Sequence, residues 1–205
     1  MTAQVLTDQE KQYYTPEEYL ALEEKAEYKS GYYDGLIIPM AGGTTNHNQI
    51  IGNLYSSLNI ELKRKPYRVF VSDVRLWIPE MRYYKYPDIM VIAGQPEYYN
   101  DRKDTITNPQ VVIEVLSNST QAYDRDEKFK AYRTIPAFQE YILIDQTSVA
   151  IDQYFKTANK RWSLYEYDDE ETELSFKSFD FQISLADLYD KVEFVEEEQE
   201  TKKPL

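Results

Sequence analysis

The sequence predicts an α/β fold that borders on α+β, in which helices flank a mixed β-sheet. Residues 110–117, QVVIEVLS, and residues 140–146, EYILIDQ, are nearly continuous apolar runs with a helix-like segment between them. This order predicts two parallel strands that are covered on both faces and joined by a crossover helix. The remaining strand-like segments look antiparallel, and a mixed sheet between helices is therefore expected.

The segments before this unit read as two helices, a hairpin and two long strands. Residues 15–26 begin with Thr15 as a cap, Pro16 in the first turn and Glu18 three residues after the cap, which indicates a helix start. Asp34 and Gly35 mark a turn in YYDGLIIPMAGG. The apolar positions of residues 44–65 repeat with a helical period. Strands are predicted over 67–80 and 84–94.

The segments after the first apolar run complete one domain. A helix is predicted over 120–135, exposed antiparallel strands over 149–156 and 161–168, and a short closing helix over 183–192. No repeat or linker divides the chain, so residues 1–195 are expected to form a single domain. Residues 196–205 form an acidic tail that we expect to be disordered.

Composition excludes several classes of protein. The chain of 205 residues has no cysteine, which rules out disulfides, thiolate metal sites and cysteine nucleophiles. It has no apolar run of about 18 residues and no signal-peptide pattern at its start, so no membrane association and a cytoplasmic location are expected. The formal net charge of −13 argues against a non-specific polyanion binder.

One glutamate lies inside the first apolar run. Strand alternation places Glu114 on the same face as Val112 and Leu116. An unpaired carboxylate in such a place costs several kcal/mol or takes up a proton. Glu114 therefore needs a hydrogen-bond partner or a metal, and a backbone amide or an arginine such as Arg75 is the structural alternative.

Two more acids are placed in a similar way. Asp88 follows Pro87 and precedes the apolar run from Ile89 to Ala93, while Asp73 lies among strand-forming residues in VFVSDVRLWI. Carboxylates on neighbouring strands form a hard-oxygen site of the kind that suits Mg²⁺ or Mn²⁺. The alternative for Asp88 is a cap of the turn before the strand.

The predicted helix after Glu114 carries a cation. Asp124, Lys128 and Tyr132 follow one another at intervals of four residues and lie along one helix face. An acid followed by a lysine at this spacing is also a common stabilising pair worth about 0.2–0.5 kcal/mol. His47, the sole histidine, lies at a helix start, where a capping or structural role is the alternative to a role in the site.

These residues together resemble the Uma-type restriction endonuclease family of the PD-(D/E)XK nuclease superfamily. The resemblance runs from about Thr15 to Lys191 and is carried by the segments YLALEEKAEYKSGYYDGLIIPMAGGTTNHNQI, SDVRLWIP, YPDIMVIAG, VVIEVLSNSTQAYDRDEKFKAYRTIP and EYILIDQ. The combined motif pattern is far more specific than any single piece of it.

The resemblance implies a restriction endonuclease-like core and a metal-dependent phosphodiesterase site. In that site Asp88 matches the first family acid and Glu114 the second, with Mg²⁺ or Mn²⁺ bound between them. The superfamily lysine usually stands two residues after the second acid, where this chain has Leu116. In this family the lysine has moved to the following helix, which corresponds to Lys128. Asp73, Asp124, Tyr132 and His47 are candidate supporting residues.

The chain departs from the family pattern at one further acid. The family usually carries a glutamate just before the tyrosine–x–Asp–Gly turn, where this chain has Gly31, and often another after the glycine, where it has Leu36. Glu24, Glu27 and Asp34 are nearby substitutes. The departure leaves the predicted fold unchanged but bears on metal affinity and activity.

The sequence is compatible with three functions. The first is a metal-dependent DNA endonuclease, acting as a homodimer because duplex cleavage needs two strand-breaking centres. In it the basic stretches ELKRKPYR and NDRKD would contact phosphates, although such stretches are more often ordinary solvated loops. The second is a catalytically weakened relative that serves as an interaction or assembly module. The third is a hydrolase that uses the same metal site on another phosphoester.

Overall fold

The computed structural model describes residues 13–40, 42–117, 123–169 and 172–194. The predicted acidic tail at 196–205 lies outside these residues. Within the described part of the chain, no helix is long and apolar enough to cross a membrane.

The strands belong to two large sheets and one small hairpin. In chain order they are β1 Ser30–Tyr33, β2 Leu36–Pro39, β3 Tyr67–Val71, β4 Arg75–Ile78, β5 Tyr83–Lys85, β6 Ile89–Ala93, β7 Thr105–Ile106, β8 Val111–Leu116, β9 Glu140–Asp145, β10 Ile151–Ala158, β11 Arg161–Tyr167, β12 Glu173–Ser175 and β13 Gln182–Ser184. The helical elements are α1 Pro16–Glu23, α2 Thr45–Glu61, a 3₁₀ turn Tyr99–Asp101, a π-helical turn Asp124–Lys128, α3 Phe129–Tyr132 and α4 Leu185–Leu188.

The central sheet has six strands in the order β11-β10-β9-β8-β6-β3. β8 pairs with β9 in parallel, as the two apolar runs predicted, and the other neighbours pair antiparallel. The predicted hairpin at 149–168 is confirmed as β10 and β11. The sheet is therefore mixed, and its parallel pair is covered on both faces.

The predicted strands over 67–80 and 84–94 are each two strands in different sheets. Ser72 adopts φ 52° and ends β3, after which β4 enters the five-stranded sheet β2-β1-β5-β4-β7. The segment from Tyr86 to Asp88 separates β5 from β6 in the same way. The prediction of single strands was wrong because each break is only three residues long, 72–74 and 86–88, and has strand-forming residues on both sides.

Three apolar clusters hold the layers together. One face of the central sheet packs Val111, Ile113 and Val115 against α2 and the C-terminal segment. The other face packs Val112 and Leu116 against β4 and α3. A third cluster joins α1 to the smaller sheet. Glu114 therefore lies on the face that looks toward α3, as strand alternation predicted.

The two predicted helix starts are confirmed by their caps. Thr15 and Glu18 form a reciprocal capping box at α1, and the Thr44 side chain accepts a hydrogen bond from the His47 amide at α2. The predicted helix over 120–135 is present as the π-helical turn followed by α3, and residues 118–122 lie outside the described part.

Candidate functional site

Two neighbouring strands bring Asp88 and Glu114 together. β6 and β8 are antiparallel, with Ile89 opposite Ile113, so Asp88 and Glu114 each lie one residue beyond this pair. Asp88 accepts a hydrogen bond from the Val115 amide through Oδ2 at 2.8 Å. Pro87 has no amide hydrogen to donate and fits the break before β6. The structure therefore places the two predicted acids next to each other.

Glu114 is buried among charged and polar groups and is only 3% exposed. The Tyr132 hydroxyl donates to its Oε1 at 2.6 Å, and Lys128 Nζ lies 3.1 Å from its Oε2. Burial raises the pKa of Glu114 to about 7, and the negative charges of Asp88 and Asp124 add to this effect while Lys128 opposes it. The carboxyl thus exchanges its proton near neutral pH.

Lys128 lies between two acids. Its Nζ is 2.6 Å from Asp124 Oδ1 as well as 3.1 Å from Glu114, and Asp124 is 2% exposed. Burial alone would lower the pKa of Lys128, but Glu114 and Asp124 outweigh it and hold the pKa well above its usual range. The π-helical turn carries both Asp124 and Lys128, and such turns are frequent at functional sites. Lys128 is therefore a permanent cation at the acid pair.

His47 completes the cluster from α2. Its Nε2 lies 3.2 Å from Asp88 Oδ2. Burial lowers the pKa of His47, but the hydrogen bond to Asp88 and the charges of Asp88 and Glu114 prevail, so the pKa is raised. The cap of α2 is Thr44, not His47, so the side chain of His47 is available to orient Asp88.

Asp73 is not part of this cluster. It lies in the turn between β3 and β4, its side chain is 82% exposed, and it pairs with Lys29. Among the described residues no hydrogen bond or ion pair joins Asp73 to Asp88 or Glu114, because β3 ends at Val71 and Asp73 lies in the turn that follows. Arg75, the alternative partner of Glu114, instead pairs with Asp104.

Sequence reasoning missed a buried lysine beside the site. Lys85 is 3% exposed, hydrogen-bonds to the Tyr123 hydroxyl, and has its Nζ 3.8 Å from the centre of the Tyr33 ring. Burial and the positive charge of Lys128 together lower the pKa of Lys85 to about 7, against the opposing effect of Glu114 and Asp124. The sequence signal for Lys85 was its position among tyrosines, three residues before Asp88. The single strand predicted over 84–94 hid this signal.

Gly31 lies beside the Tyr33 ring, which in turn contacts Lys85. A Cβ atom at Gly31 would approach Tyr33 Cε2 to 2.7 Å, so the Tyr33 ring fills the space beside Gly31. Gly31 is not among the glycines with positive φ, which excludes backbone conformation as the reason for the glycine. The place of the usual family acid is thus adjacent to a phenol ring and, through it, to Lys85.

The acid pair fits a divalent cation of the magnesium type. Within the described ranges, no three His, Asp or Glu side chains form a ready set of metal ligands. Mg²⁺ is commonly bound by one or two carboxylates with water in the remaining positions, which Asp88 and Glu114 can supply. Mutual repulsion of these acids contributes to the raised pKa of Glu114, and a bound cation would relieve it.

Comparison with known proteins identifies close relatives of the chain. The profile of the Uma2 family, described as "Putative restriction endonuclease", matches residues 16–186. Two proteins of Synechocystis sp., the uncharacterized proteins sll1609 and slr1290, are 44% and 39% identical over 79% and 75% of this chain and 92% and 80% of their own lengths.

A solved structure shares the fold. The crystal structure described as "a putative nuclease belonging to DUF820" from Anabaena variabilis superposes with a TM-score of 0.70 at 21% identity, covering 86% of this chain and 97% of its own. The restriction endonuclease-like fold predicted from the sequence is therefore confirmed. From the profile match and the identity to the Synechocystis proteins, the chain belongs to the Uma2 family.

Proposed function

We propose that this protein is a metal-dependent endonuclease that hydrolyses phosphodiester bonds in DNA. The observation that carries the proposal is the buried acid pair Asp88 and Glu114 on adjacent strands, with the cation Lys128 3.1 Å from Glu114. Membership of a family described as "Putative restriction endonuclease" supports the reaction class.

The chain's own residues preorganise the metal ligands. Asp88 is held by the Val115 amide and by His47, and Glu114 is oriented by the Tyr132 hydroxyl. Mg²⁺ or Mn²⁺ bound at this pair would supply an activated water and charge stabilisation for the phosphate. In hydrolysis the water oxygen bonds to phosphorus, the bond between phosphorus and the 3′ oxygen breaks, and the proton that the water gives up ends on the 3′ oxygen. Rigid carboxylates reduce the reorganisation that this step needs.

Lys128 is suited to a role on the scissile phosphate. A divalent cation at Glu114 would compete with the contact between Lys128 and that carboxylate, while Asp124 keeps the lysine in place. Lys128 would then neutralise phosphate charge or orient the attacking water. Its raised pKa keeps it protonated at neutral pH, which excludes Lys128 as the general base.

Cleavage of plasmid DNA with Mg²⁺ or Mn²⁺ tests the proposal. We expect nicking or linearisation by the wild type and its loss in Asp88→Asn and Glu114→Gln. Asp73→Asn is the matched control, since it removes an exposed carboxylate that pairs with Lys29. Cleavage that persists in both site variants at the wild-type rate would refute the assignment.

An interaction or assembly module is the second candidate function. The observation that favours it is the Gly31 position, where Tyr33 and Lys85 stand beside the place of a family acid. The two candidates differ in the metal binding that they predict. A nuclease should bind Mn²⁺ through Asp88 and Glu114, whereas a module without catalysis should show no Mn²⁺ binding that depends on these two residues.

We further propose that the active form is a cytoplasmic homodimer. Two copies supply the two centres that duplex cleavage requires, and closed symmetric dimers are the commonest assembly. Light scattering at micromolar concentration, with and without DNA, is expected to give the mass of two chains, and the mass of one chain in both conditions would contradict the dimer.

A further inference from the structure

Helix α2 connects the acid site to a basic groove. Its first turn carries His47, which contacts Asp88, and its C-terminal cap residue Leu62 lines the groove. The groove has a volume of about 450 Å³ and lies between the end of α2 and β3, an edge strand of the central sheet. Its charged lining residues are Lys63, Arg64, Lys65 and Arg68.

The groove presents uncompensated positive charge. Lys63 and Arg64 are exposed, and within the described part of the chain no carboxylate oxygen lies within 4 Å of their charged atoms. Lys65 pairs with Glu61, and Arg68 donates to the Gln95 side chain at 3.3 Å. Among its described lining residues the groove has no acid. On a chain with a net charge of −13, this concentration of cations stands out.

A purely structural role explains only part of the cluster. Cations near a helix C-terminus interact favourably with the helix dipole, which accounts for Lys63 and Lys65. Arg68 lies on β3, beyond the reach of that effect. Arg64 has φ 66°, in the left-handed region, where glycine or asparagine is the less costly choice. The turn itself therefore does not require an arginine at this position.

The surface of α2 between the two sites carries no charge. Residues 36–60 contain no Asp, Glu, Lys or Arg. The exposed residues Asn48, Gly52, Ser56 and Asn59 follow at helical spacing along one face, from the turn of His47 to the groove. A polyanion lying along α2 would therefore meet small polar side chains as far as Glu61, the last residue of the helix, whose carboxylate pairs with Lys65.

The spacing of the two sites matches a short length of duplex. From His47 to Leu62 the helix rises about 1.5 Å per residue, which gives roughly 22 Å. Along β6, from Asp88 to Gly94 in the groove, roughly 3.3 Å per residue gives about 20 Å. At about 3.4 Å per base pair, this distance is about six base pairs.

We propose that the basic groove is a second contact site for the backbone of duplex DNA, about six base pairs from the scissile phosphate. This inference rests on the proposed function. Phosphates contact Lys63, Arg64 and Arg68, and the duplex passes over the uncharged face of α2. The groove thereby supplies affinity and register without reading the base sequence.

DNA binding in EDTA, where no cleavage occurs, tests the groove. Fluorescence anisotropy is measured over a range of salt concentrations with duplexes of about 8 and about 24 base pairs, both longer than the separation of about six base pairs and the longer one extending well beyond both sites. The test variant is Lys63→Ala/Arg64→Ala/Arg68→Ala. The matched control is Lys156→Ala/Lys160→Ala/Arg161→Ala, which removes three charges from the β10–β11 hairpin at the opposite edge of the same sheet.

The groove variant is expected to bind the longer duplex at least about tenfold more weakly at roughly 0.1 M salt. Its salt slope should fall by about 2 to 3, since each lost phosphate contact contributes about 0.9. The control should stay within about twofold of the wild type, and both variants should keep the wild-type melting temperature.

Three results would overturn the inference. The first is an equal loss of DNA affinity in the groove variant and the control variant. The second is an unchanged salt slope in the groove variant. The third is displacement of the duplex by inorganic phosphate at matched ionic strength, which would indicate a small-anion site. The cleavage assay with metal is separate from this binding test. Intact groove binding without cleavage would therefore contradict the proposed function alone, and cleavage without groove binding would contradict this inference alone.

Discussion

Glu114 and Glu140 are two buried acids on neighbouring parallel strands, and they are held in opposite ways. Glu140 is fully buried and accepts hydrogen bonds from the Lys177 and Ser178 amides, the Ser178 hydroxyl and the Gln153 side chain, at 2.6–3.1 Å. All of these donors are neutral and fixed by the backbone or by packing. Such a carboxylate ties β9 to the segment around β12 and has no capacity left for a ligand.

Glu114 is held by a phenol and by a cation that it shares. Lys128 also pairs with Asp124, and the charges of Asp88 and Asp124 raise the pKa of Glu114. A metal ion can take the place of the shared lysine cation at Glu114, whereas it cannot take the place of the four neutral donors at Glu140. Burial of an acid therefore does not by itself indicate function; the kind of partner does.

Removing the shared cation should have the largest effect. We expect Lys128→Ala to lower the cleavage rate about 10³-fold, roughly 4 kcal/mol of transition-state stabilisation, while Mn²⁺ binding survives. The control is Lys130→Ala, an exposed lysine on the same helix that pairs with Asp126 and Glu127. Rates and calorimetry are measured on both. Loss of metal binding in Lys128→Ala would contradict this division of roles.

Neutralising each glutamate should separate structure from function. Glu140→Gln places an amide NH₂ group against donors, and we expect it to lower the free energy of unfolding by about 3 kcal/mol. Glu114→Gln should cost less stability because it also removes the repulsion with Asp88 and Asp124. Urea unfolding at pH 8 without metal compares the two. Equal destabilisation would mean that Glu114, like Glu140, is a structural residue.

The pH dependence of stability should carry the signature of Glu114. Its pKa in the folded protein is about 7, above the ordinary value of 4.5, so the folded state binds the proton more tightly. The stability gained in this way is fully present below about pH 4.5 and is lost as the pH rises through about 7. The difference between wild type and Glu114→Gln in metal-free urea unfolding should follow this curve. A difference that is flat from pH 5 to 8 would contradict it.

Metal binding should show the opposite trend. Mn²⁺ needs the ionised carboxylate, so its affinity is expected to rise through pH 7 while the metal-free protein becomes less stable.

Restoring the family acid should have the smallest effect. We expect Gly31→Glu to lower the melting temperature of the metal-free protein, because its Cβ displaces the Tyr33 ring from Lys85, a contact worth about 0.5–2 kcal/mol. The added carboxylate should enlarge the rise in melting temperature that Mn²⁺ produces. Gly52→Glu adds the same charge in open space on α2 and is the control. A variant that melts like the wild type with and without Mn²⁺ would place Gly31 outside the site.

The sequence predicted the parts of the site that depend on strand alternation and helix spacing. Glu114, Lys128 and Tyr132 meet because β8 alternates regularly and the following helix keeps an interval of four residues. Asp73 has no contact with the acid pair because Ser72 turns the chain between two sheets, and apolar composition does not mark such a turn. Lys85 was missed because its burial comes from Tyr33 and Tyr123, which are distant in sequence.

Calorimetric titration with Mn²⁺ at pH 8 tests the central claim most directly. Wild type and Asp73→Asn are expected to bind Mn²⁺ at one site, and Asp88→Asn and Glu114→Gln should bind at least about tenfold more weakly, since each loses one of two charged ligands. Equal affinity in all four proteins would show that Asp88 and Glu114 do not form a metal site, and the proposed nuclease mechanism would be wrong.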